Sequence, residues 1–107
     1  MVHKRADLIL KHYSKYESKR ALGFCSSRNH ADYMAEFFSK NGVKAYAVVS
    51  GDKMTYSMER KEAIRKLRSG EINVIFSVDM FNEGLDVPEI DMVMFLRPTE
   101  SPTVFLQ

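Results

Sequence analysis

ALGFCSSRNHADYMAEFFSKNGVKAYAVVS, residues 21–50, reads as strand, turn, helix, turn and strand. ALGFC, Ala21 to Cys25, is a short continuous apolar run of the kind buried on both faces of a sheet. Ser27 stands where it can cap the helix that follows, in which Ala31, Met34, Ala35 and Phe38 recur at helical spacing. Asn41-Gly42 supplies the left-handed stop that such a helix wants. AYAVVS, Ala45 to Ser50, then closes a βαβ unit. Two strands joined through a helix of about a dozen residues lie parallel, with the helix across one face of their sheet.

The same alternation continues in both directions. Upstream, Ala6, Ile9, Leu10 and Tyr13 fall at i, i+3, i+4 and i+7, so residues 1–20 supply a leading amphipathic helix of the same domain. Downstream, Ala63, Ile64 and Leu67 mark another helix, with Gly70 as its stop. INVIFS (Ile72 to Ser77) and MVMFL (Met92 to Leu96) are two further apolar strands. Ser101-Pro102, a cap followed by proline, predicts one more helix start. The expectation is a three-layer α/β domain with a mostly parallel sheet and right-handed crossovers. In such sheets ligands gather at the carboxyl ends of the strands. There the sequence places Ser26, Ser27 and Arg28, then Ser50, Gly51 and Asp52, then Ser77 to Asp86.

With 107 residues the chain is one domain, long enough for a core without disulfides. Cys25 has no partner cysteine, which fits a reducing compartment, the cytoplasm by default. One Cys and three scattered His do not make a tetrahedral metal site. No run reaches the length of a membrane span, and no signal peptide opens the chain. Net charge is +2, but the first fifty residues carry nine Lys or Arg against four acids, and the rest seven against ten. The basic half can face phosphates or simply be a solvated surface. Neither a GxxxxGK[ST] phosphate loop nor an acid pair for magnesium occurs.

FNEGLDVP, Phe81 to Pro88, is the strongest local signal. Gly84 follows a buried strand where backbone passes close to something or turns sharply, and Pro88 prevents a helix from continuing. Asp86 at the carboxyl edge of a parallel sheet is placed to accept hydrogen bonds from sugar hydroxyls; the other reading is a tight loop whose Asp caps local amides. Cys25 reads as a small core residue and His30 as a packing or capping residue. The seven Met are core filler, and Phe81 is a wedge under its loop or a base-stacking ring.

Three segments resemble motifs of the carboxyl-terminal motor domain of superfamily 2 helicases. ALGFCSSRNHA (Ala21 to Ala31) resembles motif IV, and SMERKEAIRKLRSGEINVIFS (Ser57 to Ser77) the stretch from the Gln-x-x-Arg motif into motif V. VDMFNEGLDVPEIDMVMFLRPTES (Val78 to Ser101) resembles motif V and the strand after it. The likeness covers residues 20–107 and runs toward the type III restriction and DNA-repair branch. It implies a RecA-like fold, with Gly84 and Asp86 at an ATP bound between two motor domains and Asp86 near the ribose. It further implies that Ser27, Arg28, Ser50, Gly51 and Ser77 line the path of a nucleic-acid strand, DNA in that branch. Arg60 occupies the Arg position of Gln-x-x-Arg; its helical spacing with Ala63, Ile64 and Leu67 predicts that it points toward the sheet, as a structural or a ligand-linked charge. Ser57 stands where the motif has Gln, and Val78 where DEAD-box proteins have Thr, which removes one phosphate-binding hydroxyl.

The resemblance also implies what lies elsewhere. ATP and Mg2+ would be held largely by the first RecA-like domain of the same parent chain, and the charge-stabilising arginine lies in a Gln-x-x-Gly-Arg-x-x-Arg motif. Gln107 fits the first residue of that motif, so residues 1–107 read as a helicase C-terminal domain cut before motif VI. No catalytic residue is expected in this stretch, and alone it should bind no cofactor and hydrolyse no ATP. The alternative is a non-catalytic α/β protein-interaction scaffold related to such domains.

Overall fold

The computed structural model describes residues 8–11, 13–15, 20–49, 54–78, 90–96 and 103–106. Residues 8–11 and 13–15 are helical. The elements that follow are β1 (Ala21–Cys25), α1 (Arg28–Lys40), β2 (Ala45–Val48), α2 (Arg60–Ser69), β3 (Val74–Val78), β4 (Met92–Phe95) and β5 (Thr103–Leu106). They form one five-stranded sheet in the order β2-β3-β1-β4-β5. β2, β3, β1 and β4 run parallel to one another.

Strand parity divides the core in two. Ala21, Cys25, Val74, Phe76, Met92 and Met94 pack with Ala31, Met34, Ala35 and Phe38 of α1, together with Ile9 and Tyr13 of the leading helix. Leu22, Ile75 and Val93, with the opposite parity, pack with Ala63 and Leu67 of α2. A two-residue side-chain period on strands covered on both faces gives three layers, as the uninterrupted apolar runs predict. Aromatic rings fill the layer between the sheet and α1. Phe38 meets Phe76 edge-on at 5.0 Å between centroids, and Tyr13 meets Phe38 at 5.5 Å. Phe38 and Phe76 are each completely buried, which contributes roughly 1.5–3 kcal/mol apiece.

Helix ends follow their local chemistry. Ser27 caps α1, its Oγ accepting the His30 N–H at 3.1 Å. Gly42, at φ 89°, turns the chain out of α1 after Asn41. Gly70 has the same φ; its N–H donates to the Leu67 carbonyl and that of Glu71 to Lys66 at 2.9 Å, ending α2. A long-range clamp reinforces this end: Arg20 donates through Nε to Leu67 O at 3.0 Å and through Nη2 to Arg68 O at 3.1 Å.

Two expectations are corrected. A helix was expected to start at Ser101-Pro102, but residues Thr103–Leu106 form β5, antiparallel to β4 with Phe95 opposite Thr103. Ser101 and Pro102 themselves lie outside the described residues. The run Thr-Val-Phe-Leu is rich in β-branched and aromatic residues, and β4 would otherwise end the sheet as an unpaired edge. Tertiary pairing therefore outweighs the cap-proline signal. The second correction concerns Arg60, which is exposed rather than turned toward the sheet. It is the first residue of α2, and Cα–Cβ bonds lean toward a helix's N-terminus, so a first-turn side chain points past the layer that Ala63 and Leu67 bury.

Candidate functional site

The register brings the carboxyl ends of the parallel strands side by side. Cys25 pairs with Val78, Phe24 with both Ser77 and Phe95, and Ser77 with Val48. From the central strand β1 the chain crosses to β2 on one side. From β3, beside it, the chain passes to β4 on the other. This reversal between adjacent strands is the place where open α/β sheets leave a crevice. The polar turn after β1 and the segment leaving β3 therefore start next to each other.

At that edge Ser26, Ser27 and Arg28 are exposed. They begin α1, a helix of 13 residues with no acid in its first turn. The helix dipole and the Arg28 charge together favour an anion there. Arg60 opens α2 at the same edge, after Glu59, whose carboxylate accepts the Glu62 N–H at 3.1 Å. Ser77 is placed differently. It is 2% exposed and its hydroxyl donates to the Val48 carbonyl at 3.0 Å, so it ties β3 to β2 instead of presenting its oxygen at the edge. Ser50, Gly51, Gly84 and Asp86, with Phe81, lie outside the described residues. Among the described residues no group of three or more His, Cys, Asp or Glu is arranged to hold a metal ion.

Sequence reading missed one set of contacts. Asp32 Oδ1 accepts the backbone N–H of Tyr56 at 2.7 Å, joining α1 to the turn before α2. Ser57 Oγ accepts from Met54 N at 2.8 Å and donates to Met54 O at 3.0 Å. The available signal was weak: Asp is a poor helix former in a helix interior, which hints at a task for its carboxylate.

Buried titratable groups near the sheet are held neutral. Burial pushes the Cys25 thiol far up, so it is an inert core residue. Tyr13 is pushed up to about 12, by burial first and by the Asp91 charge second. Burial lowers the His30 imidazole, whose Nδ1 has no hydrogen-bond partner among the described residues. Both Tyr13 and Cys25 ionise more readily unfolded than folded. Their contribution is complete below the unfolded values, 10.0 and 9.0, and is lost as pH rises toward the folded ones. For Tyr13 each pH unit inside that window costs at most roughly 1.4 kcal/mol. Denaturant titrations at pH 8 and pH 11 should therefore show Tyr13→Phe gaining on the parent chain by roughly 1 kcal/mol at the higher pH. An unchanged difference would mean that Tyr13 ionises freely in the fold.

A sheet of this order, helices on both faces and polar turns at its carboxyl edge define a RecA-like domain. The chain belongs to the helicase conserved C-terminal domain family, whose profile matches residues 4–107. It is 30% identical over 105 residues to IRC3 of Saccharomyces cerevisiae, named as an ATP-dependent helicase, covering 94% of this chain and 15% of that protein. It is 34% identical over 79 residues to UvrABC system protein B of Thermosipho africanus, covering 74% of this chain and 12% of that protein. The Hef helicase domain of Pyrococcus furiosus superposes with a TM-score of 0.66 at 28% identity, over 88% of this chain and 19% of that one. The chain thus spans less than a fifth of these relatives.

Proposed function

We propose that this chain acts as the second motor domain of an ATP-driven superfamily 2 DNA helicase or translocase. The observation that carries the reading is the gathering of the turn after β1, the exit of β3 and the N-termini of α1 and α2 at one edge of the sheet. Family membership and likeness to an ATP-dependent helicase and to a UvrABC system protein support it.

In this reading residues 1–107 belong to a helicase C-terminal domain, with residues 1–20 as its leading helix. A first RecA-like domain supplies the phosphate loop and the magnesium ligands. This chain adds Gly84 and the Asp86 carboxylate, directed to the ribose hydroxyls. Ser27, Arg28, Ser50 and Gly51 line the DNA strand, and Ser77 acts from inside the sheet by fixing β2 against β3. The exposed Arg60 adds positive charge at the track. Contacts to phosphate and sugar make binding indifferent to sequence. A cytoplasmic setting accords with the single, buried thiol. Among the described residues no helix is long and apolar enough to cross a membrane.

Binding of single-stranded DNA by the isolated chain tests the reading. With two or three phosphates neutralised, affinity should be weak and fall roughly tenfold between 50 and 200 mM salt. Tight binding that salt leaves unchanged contradicts it.

A further inference from the structure

We propose that Asp32 is a positioning residue for the DNA grip, locking the turn before α2 onto α1 so that Ser27–Arg28 and Arg60 are held as one unit. The inference rests on the DNA-motor reading above. Asp32 lies in the second turn of α1 and is half-buried. Its Oδ1 receives the Tyr56 N–H at 2.7 Å, a bond spanning 24 positions in sequence. The other side of the same residue is also engaged: Tyr56 O accepts from Ala47 N at 2.8 Å, and Met58 N donates to Ala47 O at 2.8 Å. Residues 56–58 are thus laid along the outer edge of β2, with Ser57 bridged in parallel to Ala47.

Ser57 closes the near end of the turn on Met54 through both its donor and its acceptor. It stands where the resembled Gln-x-x-Arg motif has Gln, and its hydroxyl is already occupied within the turn. The turn leads directly into Glu59, the cap of α2, and Arg60, its first residue. Asp32 therefore fixes where α2 begins relative to α1, from a position within α1 itself. In this chain the geometry of the grip comes from a locked turn, in place of the reach of a glutamine side chain. What the lock requires of residue 32 is an oxygen acceptor, not a negative charge.

Two substitutions in the full-length protein separate these requirements: Asp32→Ala removes the acceptor, and Asp32→Asn keeps it without the charge. Two readouts are paired, hydrogen exchange across residues 54–58 and the single-stranded DNA concentration giving half-maximal stimulation of ATP hydrolysis. Asp32→Ala should speed exchange across the turn and raise the DNA requirement five- to tenfold, with the KM for ATP within about twofold of wild type. Asp32→Asn should stay near wild type in both. If Asp32→Ala does not fold, Asp32→Ser, whose oxygen is one bond shorter in reach, takes its place. Faster exchange with an unchanged DNA requirement overturns the positioning role, as does an Asn variant as defective as Ala. Tighter DNA binding in both variants also overturns it, because Asp32 would then act by repelling phosphate. If the wild-type protein responds to no DNA while exchange still separates Ala from Asn, the DNA-motor reading fails and Asp32 is a fold element alone.

Discussion

Replacing Gly23 with alanine should lower the stability of the domain by about 2 kcal/mol, and replacing it with valine should lower it further. A Cβ at position 23 would lie 2.7 Å from Phe76 Cδ1 and 2.8 Å from Cε1, with Leu96 Cδ1 at 3.5 Å. The Phe76 ring has nowhere to retreat. It is fully buried, and Phe38 of α1 stands edge-on against it at 5.0 Å. The glycine is needed for space, not for an unusual backbone angle, because only Gly42 and Gly70 among the described glycines have positive φ. Alanine also reduces the freedom of the unfolded chain, an opposing gain of roughly 0.4–1 kcal/mol that the clash outweighs. Valine adds two more methyl groups in the same layer. Chemical denaturation should show a lower midpoint with an unchanged slope for Gly23→Ala, and pairing it with Phe76→Leu should recover part of the loss. An alanine variant as stable as the parent would mean that the ring is not wedged.

Gly23 also marks how far the sequence could be read. Its strand was legible because ALGFC is apolar throughout, but the reason for a glycine inside it was not, since Phe76 lies 53 positions away. Local chemistry carried far. Ser27, Gly42 and Gly70 do at the helix ends what their side chains, or lack of them, dictate. The layered core followed from spacing alone, because buried parallel strands and one-sided helices leave few alternatives. Long-range choices did not follow. Thr103–Leu106 pairs with β4 because that strand has an open edge, a fact that no local signal contains. The strand order was equally invisible, and with it the adjacency of the β1 and β3 exits.

The candidate site shows the same division. That Ser26, Ser27 and Arg28 stand exposed after β1, at the carboxyl edge where ligands gather, was legible. Where Ser77 and Arg60 point was not. Ser77 follows strand alternation into the sheet and gives its hydroxyl to Val48. Spacing put Arg60 on the buried face of α2, but spacing says nothing of where the neighbouring layer ends. The Asp32–Tyr56 bond joins two segments through a backbone N–H, which leaves no trace in residue type at the donor.

Asp86→Ala in the full-length protein should weaken ATP binding by roughly ten- to a hundredfold, the effect of losing charged hydrogen bonds worth about 1.5–3 kcal/mol. Asp86 stands two residues beyond Gly84 and two before Pro88, in the stretch of sequence that joins β3 to β4. In the proposed motor its carboxylate accepts from the ribose hydroxyls when the two domains close over ATP. In that proposal closure also couples hydrolysis to DNA, so both the KM for ATP and the stimulation by DNA should suffer. The isolated chain serves as the blank. Without a phosphate loop or the charge-stabilising arginine, whose loss alone costs on the order of a thousandfold or more, it should show no turnover.

The measurement that bears most directly on the motor assignment is therefore ATP hydrolysis by the full-length protein, with and without single-stranded DNA, for wild type and Asp86→Ala. The account predicts magnesium-dependent hydrolysis that DNA accelerates in the wild type and that Asp86→Ala largely abolishes at limiting ATP. Hydrolysis indifferent to DNA and to Asp86, or no hydrolysis at all, would contradict it and leave a helicase-related scaffold in its place.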